Sequence, residues 1–197
     1  MIHTIESNKE EIKSFNIALF PESEQFISDC IKLAQNNFSA EADGYLLGDN
    51  AWPHITLCQF ESRFTKVEAV WDSLITIQPQ SLSLGFDHFY IRPGRDKHTN
   101  KYWLGIAVTG EEQLTLLQTT IYNKLNELGI EGENIPSNYF PHLTLARCIG
   151  NRIPIISTLP PKEFWLSSYI FRLSIGQSGS YGVYSKQLFS TLNMSKS

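Results

Sequence analysis

The chain alternates between two periodicities, and the switches between them divide it into elements. Phe15-Asn16-Ile17-Ala18-Leu19-Phe20 is a short apolar run of strand character that Pro21 stops. From Glu22 to about Phe38 the apolar positions Phe26, Ile27, Cys30, Ile31, Leu33 and Ala34 fall at helical spacing, with Glu22 and Glu24 placed to favour the N-terminal dipole. Tyr45-Leu46-Leu47 between Gly44 and Gly48 predicts a short strand, and residues 53–60 a second. A stripe of Phe64, Val67, Val70, Trp71 and Leu74 predicts a helix over 61–74. Period-two patterning returns at 81–86, 89–91 and 102–108, with a turn-rich loop over 93–100. A second long helix spans Glu111 to Leu128 on Leu114, Leu117, Ile121, Leu125 and Leu128, and Gly129 is its stop. Strands follow at 140–145, 169–175 and about 181–189, the last two joined by a Gly/Ser turn over 176–180. Strands and helices in this order fit an α+β domain with mainly antiparallel sheet. Residues 1–13 and 191–197 are expected to be loose ends of one domain covering 1–197.

Two of the strands carry the same phrase. Trp52-Pro53-His54-Ile55-Thr56-Leu57 and Phe140-Pro141-His142-Leu143-Thr144-Leu145 both read aromatic, Pro, His, branched aliphatic, Thr, Leu, in a chain with only 5 histidines. Alternation puts His54 and Thr56 on one face and Ile55 and Leu57 on the other, with Pro53 at the strand start, where proline is tolerated. The second copy repeats this with His142 and Thr144 opposite Leu143 and Leu145. Side by side, two such strands would present two imidazoles and two hydroxyls to one cleft.

Composition narrows the class. The 197 residues suffice for a core without disulfide or metal staples, and 42% are hydrophobic. The 3 cysteines, Cys30, Cys58 and Cys148, have no CxxC spacing and are expected as free thiols. A net charge of −4 disfavours a protein that coats long nucleic acid by bulk electrostatics but leaves a small anionic substrate open. No apolar run is long enough for a membrane helix, the first residues do not read as a signal peptide, and a cytoplasmic location with no obligate protein partner is the expectation. No dinucleotide-binding or P-loop glycine motif is present. Alternation would also put Cys58 and Cys148 on the His faces. A zinc cage from these four would need ligands up to six residues apart on extended strands to converge, which is poor geometry, so no metal is expected.

On these residues the chain resembles the 2H phosphoesterase superfamily, and within it the RNA 2′,3′-cyclic phosphodiesterases, also called 2′-5′ RNA ligase-like proteins. The paired His-x-Thr motif carries the resemblance. Phe15 to Pro21, Trp103-Leu104-Gly105 and Gly182-Val183-Tyr184 extend it over most of the chain. The resemblance implies two pseudo-symmetric lobes, each a small antiparallel sheet with outer helices, around a central cleft. It further implies phosphodiesterase activity on a 2′,3′-cyclic phosphate or related 2′-5′ linkage at an RNA end or nucleotide, without a cofactor and possible in reverse as ligation.

The residue chemistry suits that activity. Imidazole, with an ordinary pKa of about 6.5, can be base or acid near neutrality, so His54 and His142 can divide the two proton transfers. Thr56 and Thr144, roughly 6.6 Å along the strand from each His, can steady charge on phosphate oxygens. By the same resemblance Arg147 is a phosphate contact, with Gln59 at the equivalent place in the first copy. Strict alternation puts residue 147 on the wrong face, so that role needs a bulge, and the alternative is a salt bridge. Tyr139 and Tyr184 are the candidates for base stacking, out of a set that includes Tyr102, Trp103 and Phe89. The basic run Arg92 to Lys101 is either a lip for RNA or a solvated hairpin tip. Two other functions stay open: hydrolysis of a small nucleotide derivative such as an ADP-ribose cyclic phosphate or 2′-5′ oligoadenylate, and a non-catalytic RNA-end binding module.

Overall fold

The structure is a computed structural model that describes residues 11–77, 81–94, 98–150 and 160–191. The leader up to residue 10, the tail beyond 191, Pro79 and the centre of the basic run, Arg95 to Lys97, lie outside the described residues.

Among the described residues nine strands and four α-helices follow in order: β1 (Ile12–Pro21), α1 (Glu24–Phe38), β2 (Ala42–Leu46), β3 (Ile55–Arg63), α2 (Phe64–Leu74), β4 (Ser81–Leu84), β5 (Phe86–Pro93), β6 (Lys101–Val108), α3 (Glu111–Glu127), β7 (His142–Ile149), α4 (Lys162–Trp165), β8 (Tyr169–Ser178) and β9 (Tyr184–Ser190). The class is α+β with antiparallel pairing throughout. Where two sheets are expected, the strands join in one, ordered β4-β8-β1-β3-β7-β6-β5, with β2 also on β7 and β9 on β8. Within the sheet the two halves are joined by one register pair, Ile55 with Leu143. Both are fully buried, so the two phrases are fastened together by their aliphatic residues.

Local chemistry sets the element ends. Ser23 caps α1, its hydroxyl accepting from the Phe26 amide at 3.2 Å, so the helix starts two residues later than the acidic pattern suggests. The stretch 61–63 continues β3 rather than opening α2: Glu61, Ser62 and Arg63 pair with Ser14, Lys13 and Ile12 of β1. That pairing also makes strand of Ile12 and Lys13, read from sequence as loose leader. At the other end, Thr191 is buried and its hydroxyl donates to the Leu173 carbonyl.

The helices cross over. Helix α1, which follows β1, packs on β7, and α3, which follows β6, packs on β3. Leu114, Leu117, Ile121 and Leu125 of α3 and Phe26, Cys30, Leu33, Ala34 and Phe38 of α1 are buried in a single core with Leu57 and Leu145. Each His strand therefore rests on the helix of the other half.

Candidate active site

Both His strands share an irregularity that places the site. On β3, Ile17 pairs with Cys58 but Ala18 pairs with Thr56, so Leu57 is skipped. On β7, Leu104 pairs with Ala146 but Gly105 pairs with Thr144, so Leu145 is skipped. A bulge after each Thr reverses the alternation beyond it. Cys58 and Cys148, placed on the His face by strict alternation, are buried in the core instead, and burial pushes both thiols up to about 11. Gln59 and Arg147 turn to the His side, opposite Asn16 and Trp103. The bulge that the Arg147 reading required is present.

His54, Thr56, His142 and Thr144 line one cleft of about 700 Å³, together with Gln59, Tyr90, Arg92, Trp103, Asn134 and Tyr181 among others. Its described lining contains no carboxylate, and Arg92 is its one full positive charge. In a chain of net charge −4, that is a local preference for anions.

The two imidazoles are held alike. His54 Nδ1 lies 2.8 Å from the Trp52 carbonyl and His142 Nδ1 2.6 Å from the Phe140 carbonyl. A carbonyl only accepts, so Nδ1 carries the hydrogen in both rings and Nε2 is the working nitrogen. The carbonyl belongs to the residue two before each His, the aromatic of the repeated phrase. Each ring also abuts a tyrosine: Tyr184 lies 5.2 Å from His54 and Tyr90 lies 4.9 Å from His142, centroid to centroid. Both tyrosines lie across a glycine. A Cβ on Gly105 would come within 2.5 Å of the Tyr90 ring, and one on Gly176 within 2.4 Å of the Tyr184 ring.

Electrostatics disfavour charge on both rings. Desolvation lowers His54 from 6.5 to about 4, outweighing the Trp52 hydrogen bond, and the neighbouring His142 adds to the fall. His142 is also lowered, by desolvation first and by Arg92 among the smaller causes. An anionic ligand in the cleft would act against both shifts.

Two sequence candidates land elsewhere than expected, and a third, Tyr139, stays beside His142. Arg147 is 3% exposed, and its guanidinium is occupied. Nε donates to the Asp43 carbonyl at 2.8 Å, one terminal nitrogen meets the Asp43 carboxylate at 3.1 Å, and the other lies 2.9 Å from His98 Nδ1. The Tyr181 ring covers it at 3.6 Å, so Arg147 is a buried ion-pair anchor behind the cleft wall rather than part of the lining. Lys101 shares the same Asp43, whose pKa is lowered chiefly by that lysine. Tyr184 is fully buried, its hydroxyl donating to Ser174 at 3.0 Å, and has no face free for a base. Tyr139 borders a side recess next to His142, where its hydroxyl ties to the Thr56 carbonyl at 3.0 Å.

Sequence reading missed Asn16, Tyr90 and Tyr181, and carried Arg92 only as one end of the basic run. Tyr90 shares a 3.2 Å hydrogen bond with Thr144 Oγ1. Arg92 stacks on Phe140 at 3.6 Å, beside His142. Tyr181 is 41% exposed and has φ of 65°, a strained conformation for a bulky residue. Its signal in sequence was the Gly/Ser turn, which marks where such a conformation can occur. Among the described residues no group of three or more His, Cys, Asp or Glu is placed to hold a metal ion, and no helix is long and apolar enough to cross a membrane.

No family model matches the chain, and no curated protein does. Solved structures do. A phosphoesterase structure superposes with a TM-score of 0.64 at 21% identity, over 91% of this chain and 97% of that one. Escherichia coli LigT complexed with 3′-AMP gives 0.66 at 21% identity, also over 91% and 97%. LigT complexed with NADP+ gives 0.61 at 18% identity over 91% and 97%. At these identities the likeness speaks for the architecture, and the chain has the fold shared by LigT and that phosphoesterase along nearly its whole length.

Proposed function

We propose that the protein is a two-histidine phosphodiesterase of the 2H superfamily, acting on a 2′,3′-cyclic phosphate or a related 2′-5′ phosphodiester of an RNA end or nucleotide. The observation that carries this reading is the cleft in which His54, Thr56, His142 and Thr144 stand together with both Nδ1 atoms locked on carbonyls. Water attacks phosphorus while one Nε2 takes its proton. The bond to one ribose oxygen breaks, and the other imidazole, entering protonated, supplies that oxygen with a proton. Thr56 and Thr144 hold the non-bridging oxygens as charge builds on them. The role needs no metal. With Arg147 in its ion pair, Arg92 is the group placed to meet the substrate's charge.

Hydrolysis of a small nucleotide derivative is the second reading. It is favoured by a cleft of nucleotide size whose described lining has one cation, and by the LigT structures complexed with ATP and with NADP+. One experiment addresses both. The protein is incubated with chelator and with 2′,3′-cyclic nucleotides, short RNA ending in a cyclic phosphate, 2′-5′ oligoadenylate and an ADP-ribose cyclic phosphate, and products are resolved by phosphate position. We expect turnover of a cyclic phosphate that is lost in folded His54→Ala and His142→Ala. Tight binding without turnover on every substrate would replace the enzyme by a binding module.

A further inference from the structure

Asn16 is fully buried, directly opposite Gln59 in the β1–β3 ladder. Its side-chain nitrogen reaches two members of the site at once, His54 Nε2 at 3.2 Å and Thr56 Oγ1 at 3.0 Å. Its side-chain oxygen is buried and, among the described residues, has no hydrogen-bond partner. An amide is a donor at one end and an acceptor at the other, so this arrangement satisfies only one protonation state of the ring. While His54 is neutral, the bare Nε2 accepts from Asn16. Once Nε2 carries a proton, two donors face each other and the acceptor oxygen points away. A half-turn of the amide would reverse this, with Oδ1 accepting from both the imidazolium and the Thr56 hydroxyl.

The arrangement has no counterpart in the other half. Trp103 occupies the register position equivalent to Asn16, opposite Arg147 as Asn16 is opposite Gln59. Among the described residues none donates to His142 Nε2.

Resting on the two-histidine reading, we infer that Asn16 is a positioning residue whose amide holds His54 as the empty proton acceptor before reaction and turns over to hold its proton afterwards. The unpartnered oxygen is then the acceptor kept for the second state. Thr56 follows the same turn, since its hydroxyl accepts from the amide in one state and is released to donate in the other. The titratable and charged groups facing His54 are His142 from β7, Tyr184 from β9 and, along the cleft wall, Arg92 from β5. Among the described residues no carboxylate lines the cleft to hold the proton instead.

The test does not depend on turnover, so it separates this inference from the phosphodiesterase reading. Nitrogen-15 labelled protein without substrate is titrated by NMR, following the imidazole nitrogens of His54 and His142 and the side-chain amide of Asn16. We expect the Asn16 amide signals to titrate with the His54 midpoint and not with that of His142. In Asn16→Asp, where only acceptors face Nε2, the His54 midpoint should move up by roughly 1–3 pH units. Amide signals that stay constant through the His54 titration would overturn the inference. So would a folded Asn16→Asp whose His54 midpoint is unchanged. If that variant does not fold, the unsubstituted protein alone decides. Loss of phosphodiesterase activity on every substrate, with the NMR result as expected, would remove the functional reading and leave the amide coupling standing.

Discussion

The strands β3 and β7 are one design executed twice, and their neighbours are not. Both bring in His after an aromatic and a proline, lock Nδ1 on that aromatic's carbonyl, turn a Thr to the same side and bulge at the next Leu. Around them, His54 has Asn16, Gln59 and a buried Tyr184, while His142 has Trp103, Arg147, Tyr90 and Arg92. The shared part fixes where two imidazoles stand. The unshared part makes them chemically different, which the proposed division into one proton acceptor and one donor requires.

The largest expected contrast lies at the positions after the bulges. Asp43→Ala strands the buried Arg147 cation and should lower the thermal midpoint by on the order of 10 °C. Gln59→Ala, at the same place in the other half, removes a neutral group and should move it far less. Equal losses in calorimetry would show that the two positions are not functionally distinct.

Acid sharpens the contrast between the rings. His54, lowered from 6.5 to about 4, stays neutral in the folded state over a range where the unfolded chain binds a proton. Its contribution to stability is therefore complete above pH 6.5 and is lost as pH falls towards 4, by about 3 kcal/mol at most. His142 acts in the same direction. Urea unfolding at a series of pH values should show this slope, and His54→Asn should flatten it.

Arg92 is specific to the His142 side. Arg92→Ala should weaken binding of a nucleotide phosphate about tenfold, the value of one charged hydrogen bond, and raise the His142 titration midpoint. A raised KM with no change at His142 would place the arginine away from that ring. The smallest contrast concerns the two tyrosines. Tyr90→Phe cuts the bond to Thr144 and should reduce kcat/KM by about fivefold. Tyr184→Phe cuts only a buried link to Ser174 and should lower stability while leaving kcat/KM within about twofold. The reverse pattern would exchange their roles.

Much of the architecture was legible because periodicity reports burial. The α1 and α3 stripes and the His strands lie where their patterns put them, and the duplicated phrase located the cleft residues. The bulges were not legible. A two-residue period assumes a regular ladder, and a skipped Leu57 or Leu145 leaves no mark in composition, so both cysteines were put on the wrong face. Asn16 was hidden for a different reason: it reaches the site from a strand 38 positions from His54, with no repeat to advertise it. Tyr184 was misread because an aromatic beside a cleft and one beneath it look alike in sequence.

The crossing of α1 and α3 bears on how the molecule can come apart. Because each His strand lies on the other half's helix, a chain cut in the β5–β6 loop would part each His strand from the long helix beneath it. Such fragments should regain structure only on mixing, each bringing the helix that the other's His strand lacks.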